Sequence, residues 1–518
     1  MSDPEDSATP ADYAKAVAAQ ARRHMNDSPF FGQIFKVLSE RLDCERQLND
    51  DQSTSIDVTL HLLPRCGDKI VQHLSDTSEL DNLEAVVTTL TSSPPEASPA
   101  VQILFLHGHQ PPQCLTRVGA RYKVNPRTYL RHLQYLWFNS QSRLFASPSL
   151  PSASVDIVSL CVVTLVQRKA MGTPLEDMRC YAKQAMEKYL HEVYIGRGLN
   201  TGDSIVRASW IHSPEYFSVE QEITISLQRK DGSWSLLIWT DIARELSNSP
   251  DIPWRAAPAS KPAQSSFLTN WLSLANLWKK PAQSELLIAI RKLHTPSLSS
   301  LRSSSPYGDQ LEAKLMAADP FYCLSELFKL SAYSIDHLLK LIEGRIQEST
   351  GYNLSHSQQT SHADLLYHQD ILNRMRKRVV NSLGDIRNYR HSWPKTTNPQ
   401  QKAQVDCVTD GLQQDFQDLQ DRIDRLLTRC HEGMNMCMSL AAINGAEKAR
   451  LQAERIGQLT WLAFFYTPLS FTTSFFGMNL ADFGEKGGLP TYLWFAVSVP
   501  IVTISYLVLL LVGKYGKK

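Results

Sequence analysis

The stretches LTWLAFFYTPLSFTTSFF, residues 459–476, and YLWFAVSVPIVTISYLVLLLV, residues 492–512, are two apolar runs without Lys, Arg, Asp or Glu. Helices of this length rise by roughly 27–32 Å, about the thickness of the hydrocarbon core of a bilayer. A buried helical hairpin in a large soluble core is the alternative, but such helices rarely need apolar runs this long. The two runs therefore predict a pair of transmembrane helices that anchor a large polar body.

The composition of the 518-residue chain excludes several classes of function for this polar body. Its 53 basic and 52 acidic side chains nearly cancel, so no global field points to nucleic acid as a partner. The nine cysteines include no close C-x-x-C pair, which is typical of reduced thiols in the cytosol. The sequence holds no P-loop, G-x-S-x-G or H-E-x-x-H motif, so we expect neither an enzyme nor ATP-driven transport.

The pattern of apolar residues and breakers predicts an α+β cytosolic domain, a long stalk helix and two carboxy-terminal transmembrane helices. The predicted boundaries are 1–28 for a loosely ordered amino terminus, 29–245 for the α/β domain, 246–280 for a Pro/Ser-rich linker, 281–400 for a helical region, 401–476 for a stalk helix that continues into the first span at about 457–476, 477–491 for an external loop, 492–512 for the second span and 513–518 for a basic tail.

Local signals define elements within these regions. Strands are predicted at residues 56–63, 101–106, 155–166, 222–228 and 235–239. The last two flank Asp231 and Gly232, a dipeptide that favours a hairpin turn. Asn125 and Pro126 suit the cap and first position of a helix, and Ser361 suits the cap of a later one.

The stalk helix carries apolar residues at steps of three and four from Val405 onward. These predict one continuous helix of about 70 residues, with a seam that needs partners along its length. A packed domain helix that is broken near Gly445 or Gly457 is the alternative, and the sequence leaves it open.

One face of the first apolar run is a seam of small or hydroxyl-bearing residues, in steps of four and three: Thr460, Ala463, Thr467, Ser470, Ser474 and Gly477. Such a seam either lets helices pack closely or lines a watery path. The residue types alone do not separate these two uses.

The flanking charges predict the orientation of the two spans. Lys448, Arg450 and Arg455 precede the first run, and lysines follow the second. By the positive-inside rule both termini face the cytosol and the loop with Asn479 faces outward. An Asn at an outer pore mouth can hydrogen-bond the hydration shell of Mg²⁺, which sheds water reluctantly. The acidic amino terminus resembles neither a signal nor a transit peptide, so we expect the plasma membrane.

Two motifs in the first run carry a family resemblance. Residues 468–471 read Pro-Leu-Ser-Phe and residues 476–479 read Phe-Gly-Met-Asn, followed by a short loop and a second span that ends in lysines. This arrangement resembles the CorA family of divalent-cation channels. The Gly-Met-Asn tripeptide alone is weak, since residues 433–435 repeat it inside the polar rod, but its place at the outer end of a span is specific.

The resemblance implies a funnel-shaped homopentamer in a lipid bilayer, with Mg²⁺ both transported and regulatory. It assigns Gly477, Met478 and Asn479 to the selectivity entrance, with Asn479 as the metal-binding residue. Combined with the seam, it gives a pore lining of Ile456, Leu459, Ala463, Thr467, Ser470 and Ser474. Asp415 and Asp418 on the stalk are weak candidates for a regulatory Mg²⁺ site, and an ordinary solvated helix face is the simpler explanation for them.

Two other functions stay open at this point. A transporter for Zn²⁺ or another transition metal would share the hairpin, although Met478 favours Mg²⁺. A membrane-anchored scaffold or signalling protein that no longer conducts would also keep the fold. His107, His109 and Cys114 do not suggest a further metal site, because they follow one another in a Gln-Pro-Pro region that reads as a surface loop with no fourth ligand.

Overall fold

The computed structural model describes residues 9–27, 36, 38–40, 42, 55–63, 69–82, 101–137, 155–167, 173–195, 199–230, 233–244, 307–308, 311–350, 358–396, 398–477 and 491–515. The predicted linker at 246–280 and residues 281–306 of the predicted helical region lie outside these residues. Contacts between residues divide the chain into two units, which are residues 1–351 with 365–430, and residues 352–364 with 431–518.

The strands and helices of the first half alternate along the chain. The strands are β1 (Ser55–Leu63), β2 (Ile70–Asp76), β3 (Val101–His107), β4 (Ile157–Gln167), β5 (Ala208–Ile211), β6 (Tyr216–Lys230) and β7 (Ser233–Thr240). The helices are α1 (Pro10–Asp27), α2 (Thr77–Asp81), α3 (Pro112–Tyr122), α4 (Pro126–Leu133) and α5 (Leu175–Ile195). The predicted α+β class is confirmed for this part of the chain.

The described residues of the second half are mostly helical, with short non-helical segments between the helices. Its elements are α6 (Ala313–Ala318), α7 (Pro320–Thr350), α8 (Gln358–Ser392), α9 (Pro399–Gly477) and α10 (Thr491–Tyr515). Helix α9 has 79 residues and includes the whole apolar series of the predicted stalk. Both Gly445 and Gly457 lie inside it, so the alternative of a helix broken at either glycine is wrong. Helix α8 begins before Ser361, which is therefore not its cap.

The seven strands form one mixed sheet in the order β2-β1-β3-β7-β6-β4, and β5 also pairs with β6. Strands β3 and β7 are parallel, and the other pairs are antiparallel. The predicted hairpin is confirmed, because Lys230 on β6 pairs with Ser233 on β7. Strand β3 pairs with β7, which lies far along the chain. Local sequence patterns do not specify such a pairing.

Helix α4 starts as its sequence predicts. The Asn125 side chain accepts a hydrogen bond from the Arg127 backbone N–H at 3.0 Å, and Pro126 is the first helical residue. The helix ends at Leu133, and a short 3₁₀ turn continues to Trp137. An Asn cap leaves the orphan N–H of the first turn satisfied, which explains why the start is sharp.

Residues 10–27 are helical, in contrast to the predicted loosely ordered amino terminus. Val17 and Ala21 are buried, and the Tyr13 hydroxyl donates a hydrogen bond to the Val124 carbonyl oxygen at 2.8 Å. The edge of the Tyr13 ring also fills the space beside Gly119, where a side chain would clash. A few small apolar residues are thus enough to dock α1, and their signal in the sequence is weak.

His107 and Cys114 do not lie on a surface loop, so that expectation is wrong. His107 is the buried last residue of β3, and Cys114 is buried in α3. The Thr59 hydroxyl lies 3.0 Å from His107 Nε2. Burial raises the pKa of the Cys114 thiol to about 12, so the sulfur is protonated at neutral pH.

Helix α7 and helix α8 each bond to the sheet through polar side chains. From α7, the Ser331 hydroxyl donates to the Cys161 carbonyl oxygen at 2.6 Å. From α8, the Tyr367 hydroxyl accepts from the Ile211 N–H at 2.9 Å. Just after the end of α8, Trp393 donates from Nε1 to the Val155 carbonyl oxygen at 2.9 Å. These bonds satisfy backbone groups of the strands β4 and β5 and of the turn before β4.

The part of α9 before residue 431 packs against α7. The rings of Phe328 and Phe416 meet edge to face, with centroids 6.0 Å apart. Arg422 on α9 donates to Asp336 at 2.6 Å and to Glu343 at 2.7 Å, both on α7. An apolar contact and two charge-assisted bonds therefore fix the same pair of helices.

Candidate functional site

The end of α9 and α10 form an antiparallel helical hairpin. The Ser498 hydroxyl on α10 donates a hydrogen bond to the Thr472 hydroxyl oxygen on α9 at 3.0 Å, and both side chains are buried. The rings of Trp461 and Tyr506 meet edge to face, with centroids 5.7 Å apart. Since the partner number on α10 rises as the number on α9 falls, the two helices run in opposite directions.

The predicted pore-lining residues lie on the other side of α9. With a turn of about 100° per residue, they stand roughly 140–180° around the helix from Thr472. All of them are exposed in the isolated chain: Ile456, Leu459, Ala463, Thr467, Ser470 and Ser474. The small-residue seam is therefore not used for packing against α10, so close packing inside the hairpin does not explain it.

The predicted selectivity motif is described only at its first residue. Gly477 is the last residue of α9, and a side chain at its position would meet open space within the single chain. Met478 and Asn479 lie outside the described residues. The roles of the three residues stay predictions.

Among the residues that the structure describes, none of the helices combines the length and apolarity needed to cross a membrane. The transmembrane assignment of residues 459–476 and 492–512 thus stays a prediction.

The two acidic candidates of the stalk, Asp415 and Asp418, are neighbours on the exposed side of α9. Partial burial, and secondarily the charge of Asp418, raise the pKa of Asp415, while Lys329 lowers it. Within the described residues no group of three or more His, Cys, Asp or Glu side chains has the geometry of a metal site. Their role in binding Mg²⁺ stays a prediction.

A buried ionic network joins α8 to strand β6 of the sheet, and the sequence-based predictions did not include it. Glu220 on β6 is buried and accepts hydrogen bonds from Arg374 at 2.6 Å and from Arg378 at 2.7 Å. Arg378 also lies 2.8 Å from Glu222. Burial raises the pKa of Glu220, but the two arginines outweigh it and lower that pKa to about 2.

The network continues on the sheet through Arg207 and Asp241. Arg207 lies 3.0 Å from Glu222 and 2.5 Å from Asp241, and all three are buried. His132 Nε2 lies 3.2 Å from Asp241 Oδ1, and its Nδ1 lies 2.9 Å from the Thr224 hydroxyl. Burial lowers the pKa of His132 although Asp241 raises it, so the imidazole is neutral. The three arginines then balance the three carboxylates.

A signal for this network does exist in the sequence. Glu220 and Glu222 lie two residues apart on strand β6, and residues two apart on a strand share a face. Arg374 and Arg378 are four apart on a helix, which also puts them on one face. Two acids in a buried strand require partners, but the sequence does not say which of its basic residues supply them.

Among known protein families, one matches the carboxy-terminal part of the chain. Residues 282–514 match the family described as "CorA-like Mg2+ transporter protein". The match covers helices α6 to α10 but not the sheet. No curated protein matches the chain. Residues 282–514 are therefore similar to this family, which confirms the resemblance indicated by the motifs and extends it upstream of them.

Two solved structures align with most of the chain. The CorA magnesium transporter from Methanocaldococcus jannaschii is 11% identical, with 88% of this chain and 97% of that chain covered and a TM-score of 0.37. The full-length CmaX protein is 10% identical, with 89% of this chain and 98% of that chain covered and a TM-score of 0.33.

Proposed function

We propose that the protein is a membrane transporter for divalent cations, with Mg²⁺ as its main substrate. The ion moves down its electrochemical gradient through a pore that five copies of the chain form together. The observation that carries this proposal is the CorA-like match over residues 282–514, which includes the Gly-Met-Asn tripeptide at the end of an apolar helix. The chain acts as a channel and not as an enzyme.

The exposed surface of the hairpin supports a membrane setting. Large apolar side chains are at least one-third exposed along both helices, including Trp461, Leu462, Phe464, Phe471, Phe495, Ile504 and Leu507. Isolated apolar side chains are common on protein surfaces, but a contiguous apolar surface marks an interaction site or a membrane site. Lipid and neighbouring copies would cover this surface.

The seam on α9 supports a watery path. Thr467, Ser470 and Ser474 carry hydroxyls on the face away from α10. When identical helices surround an axis, this face points to the axis, and its small side chains leave room for a hydrated ion. Asn479 would then offer an amide oxygen to the hydration shell at the outer mouth without stripping it.

The test is a flux assay with the full-length chain in liposomes that contain a Mg²⁺-sensitive dye. We expect Mg²⁺ entry, driven by an inside-negative potential, that Asn479→Ala reduces at least tenfold. The chain provides a matched control in Asn435→Ala, since Asn435 ends the second Gly-Met-Asn tripeptide and is exposed on α9. That control should conduct like the parent protein.

Each other outcome assigns a different function. Zn²⁺ entry that greatly exceeds Mg²⁺ entry would make the protein a transition-metal transporter. Absence of flux for every ion, with the protein inserted in the liposomes, would leave an anchored scaffold. A mass measurement on the detergent-extracted complex checks the five copies, and a monomer would exclude the pore.

A further inference from the structure

Two hydroxyls form a buried contact inside the hairpin. Thr472 and Ser498 are each 2% exposed and are the buried polar side chains among the described residues of α9 and α10 from residue 456 onward. The Ser498 hydroxyl donates to the Thr472 oxygen, and the Thr472 hydroxyl donates to the Leu469 carbonyl oxygen at 2.9 Å. Each proton therefore has a defined acceptor, and the bond has one direction.

The surrounding contacts constrain rotation of α9 much less. Apolar surfaces attract without direction, and between helices in lipid they provide no hydrophobic driving force. The ring contact between Trp461 and Tyr506 lies at the end of the hairpin that is far from the loop. The buried polar pair is different, because rotation of α9 would leave the Ser498 hydroxyl without its acceptor in a medium that offers no other.

The position of this pair determines where the seam points. Ser470 and Ser474 are each two residues from Thr472, so they stand about 160° around the helix from it. A rotation of about 100°, one residue step, would put aromatic side chains such as Phe471 in their place. The bond that holds Thr472 against α10 thus holds the seam on the opposite side.

We propose that the hydrogen bond between Thr472 and Ser498 positions the pore helix, fixing its rotation so that the small-residue seam faces the ion path. This inference rests on the proposed function, since it names the path that the seam lines. Thr472 and Ser498 are positioning residues that do not touch the ion. Their effect on transport comes through Ser470 and its neighbours.

The experiment measures the rotation of the helix by thiol block of transport. Both apolar runs lack cysteine, so Ser470→Cys introduces a thiol on the seam, and a charged, water-soluble thiol reagent should block Mg²⁺ flux through that variant. The unsubstituted chain with the same reagent controls for the native cysteines. Phe471→Cys, off the seam, should be blocked much more slowly.

Loss of the hydrogen bond should reduce the difference between the rates of thiol block at Ser470→Cys and Phe471→Cys. In the Ser470→Cys background, Thr472→Val removes the hydroxyl at constant volume and should slow the block by about threefold or more, while block at Phe471→Cys becomes faster. Ser498→Ala should have the same effect, and Thr472→Ser, which keeps the hydroxyl, should restore the parent pattern. If the two hydroxyls only stabilise the fold, their loss should lower the yield of protein without changing the relative rates of thiol block at the two positions.

The outcomes separate this inference from the proposed function. If Thr472→Val and Ser498→Ala keep the Mg²⁺ flux of the parent protein and leave the rate of block at each cysteine position unchanged, the positioning role is overturned. The proposed transport function would stand. Absence of Mg²⁺ flux from the parent protein would overturn both. If Thr472→Val does not fold, Ser498→Ala with the Thr472→Ser control decides the question.

Discussion

Glu220 and Arg378 are 158 residues apart in the sequence, and Arg378 Nη2 donates to Glu220 Oε1 at 2.7 Å. The carboxylate is buried on strand β6, and the partly exposed guanidinium comes from α8. This ion pair, with Arg374 beside it, attaches a long helix to β6. The stability of the α+β domain should therefore depend on it.

Glu220→Gln should destabilise this domain by about 1.5–3 kcal/mol, because it replaces the charge-assisted bonds to two partly exposed arginines with bonds to a neutral amide. The measurement is the apparent melting temperature of the detergent-solubilised full-length chain, with Glu187→Gln on the exposed face of α5 as the control. A melting temperature equal to that of the control would show that the pair contributes nothing to stability.

The Glu220 carboxylate also predicts that the domain becomes less stable in acid. The pKa of Glu220 is lowered to about 2, since the arginines outweigh the effect of burial, whereas an unfolded glutamate has a pKa of about 4.3. The stabilisation is fully present above pH 4.3 and is lost as the pH falls towards 2, by up to about 3 kcal/mol. In Glu220→Gln the melting temperature should vary less over this range.

Asp385 on α8 should have the opposite pH dependence. Burial raises its pKa to about 7, although Arg131 and the Ser159 N–H lower it, and its Oδ2 is buried without a hydrogen-bond partner. Between pH 4 and 7 the unfolded state is ionised while the folded one is protonated. Unfolding therefore becomes easier as the pH rises, by at most about 1.4 kcal/mol per pH unit.

Asp385→Asn should remove this slope, because the amide keeps an acceptor for the Ser159 N–H and cannot ionise. Melting temperatures at pH 5, 6, 7 and 8 test it, with Asp370→Asn, exposed on the same helix, as the control. The expected result is a variant more stable than the parent at pH 8. An unchanged slope would mean that the Asp385 carboxyl is solvated.

Arg422→Ala should weaken the contact between α9 and α7, because it removes the bonds to Asp336 and Glu343. Both acceptors are partly exposed, so the expected loss is about 1–2 kcal/mol and decreases in high salt. Arg425→Ala, exposed on the next turn of α9, is the matched control. Equal melting temperatures for the two variants would contradict the prediction.

Ser470→Leu should reduce Mg²⁺ flux by tenfold or more, because a branched apolar side chain on the seam narrows the path and dries it. Thr473→Leu introduces the same residue about 80° away from the centre of the seam and should retain most of the flux. Liposome flux at equal protein content is the measurement. Equal loss in both variants would place the path elsewhere.

The sequence alone determined the features that depend on local patterns. The Asn125 cap and the hairpin between β6 and β7 follow from residue spacing over a few turns or strands, and both are confirmed. The CorA-like motifs at residues 468–479 are also local, and they carry the family resemblance without any tertiary contact. Docking of α1 escaped prediction because Val17 and Ala21 are its only buried apolar side chains among residues 10–23, where burial is described.

Only the tertiary structure decided which distant groups meet. The sequence contains 53 basic side chains, and nothing in their spacing selects Arg374 and Arg378 as the partners of Glu220. In the same way, the seam on α9 was visible in the sequence, but its direction depends on which face carries Thr472 against Ser498. Spacing along a helix fixes the angle between two side chains, whereas the direction in which a face points is set by contacts with residues elsewhere in the chain.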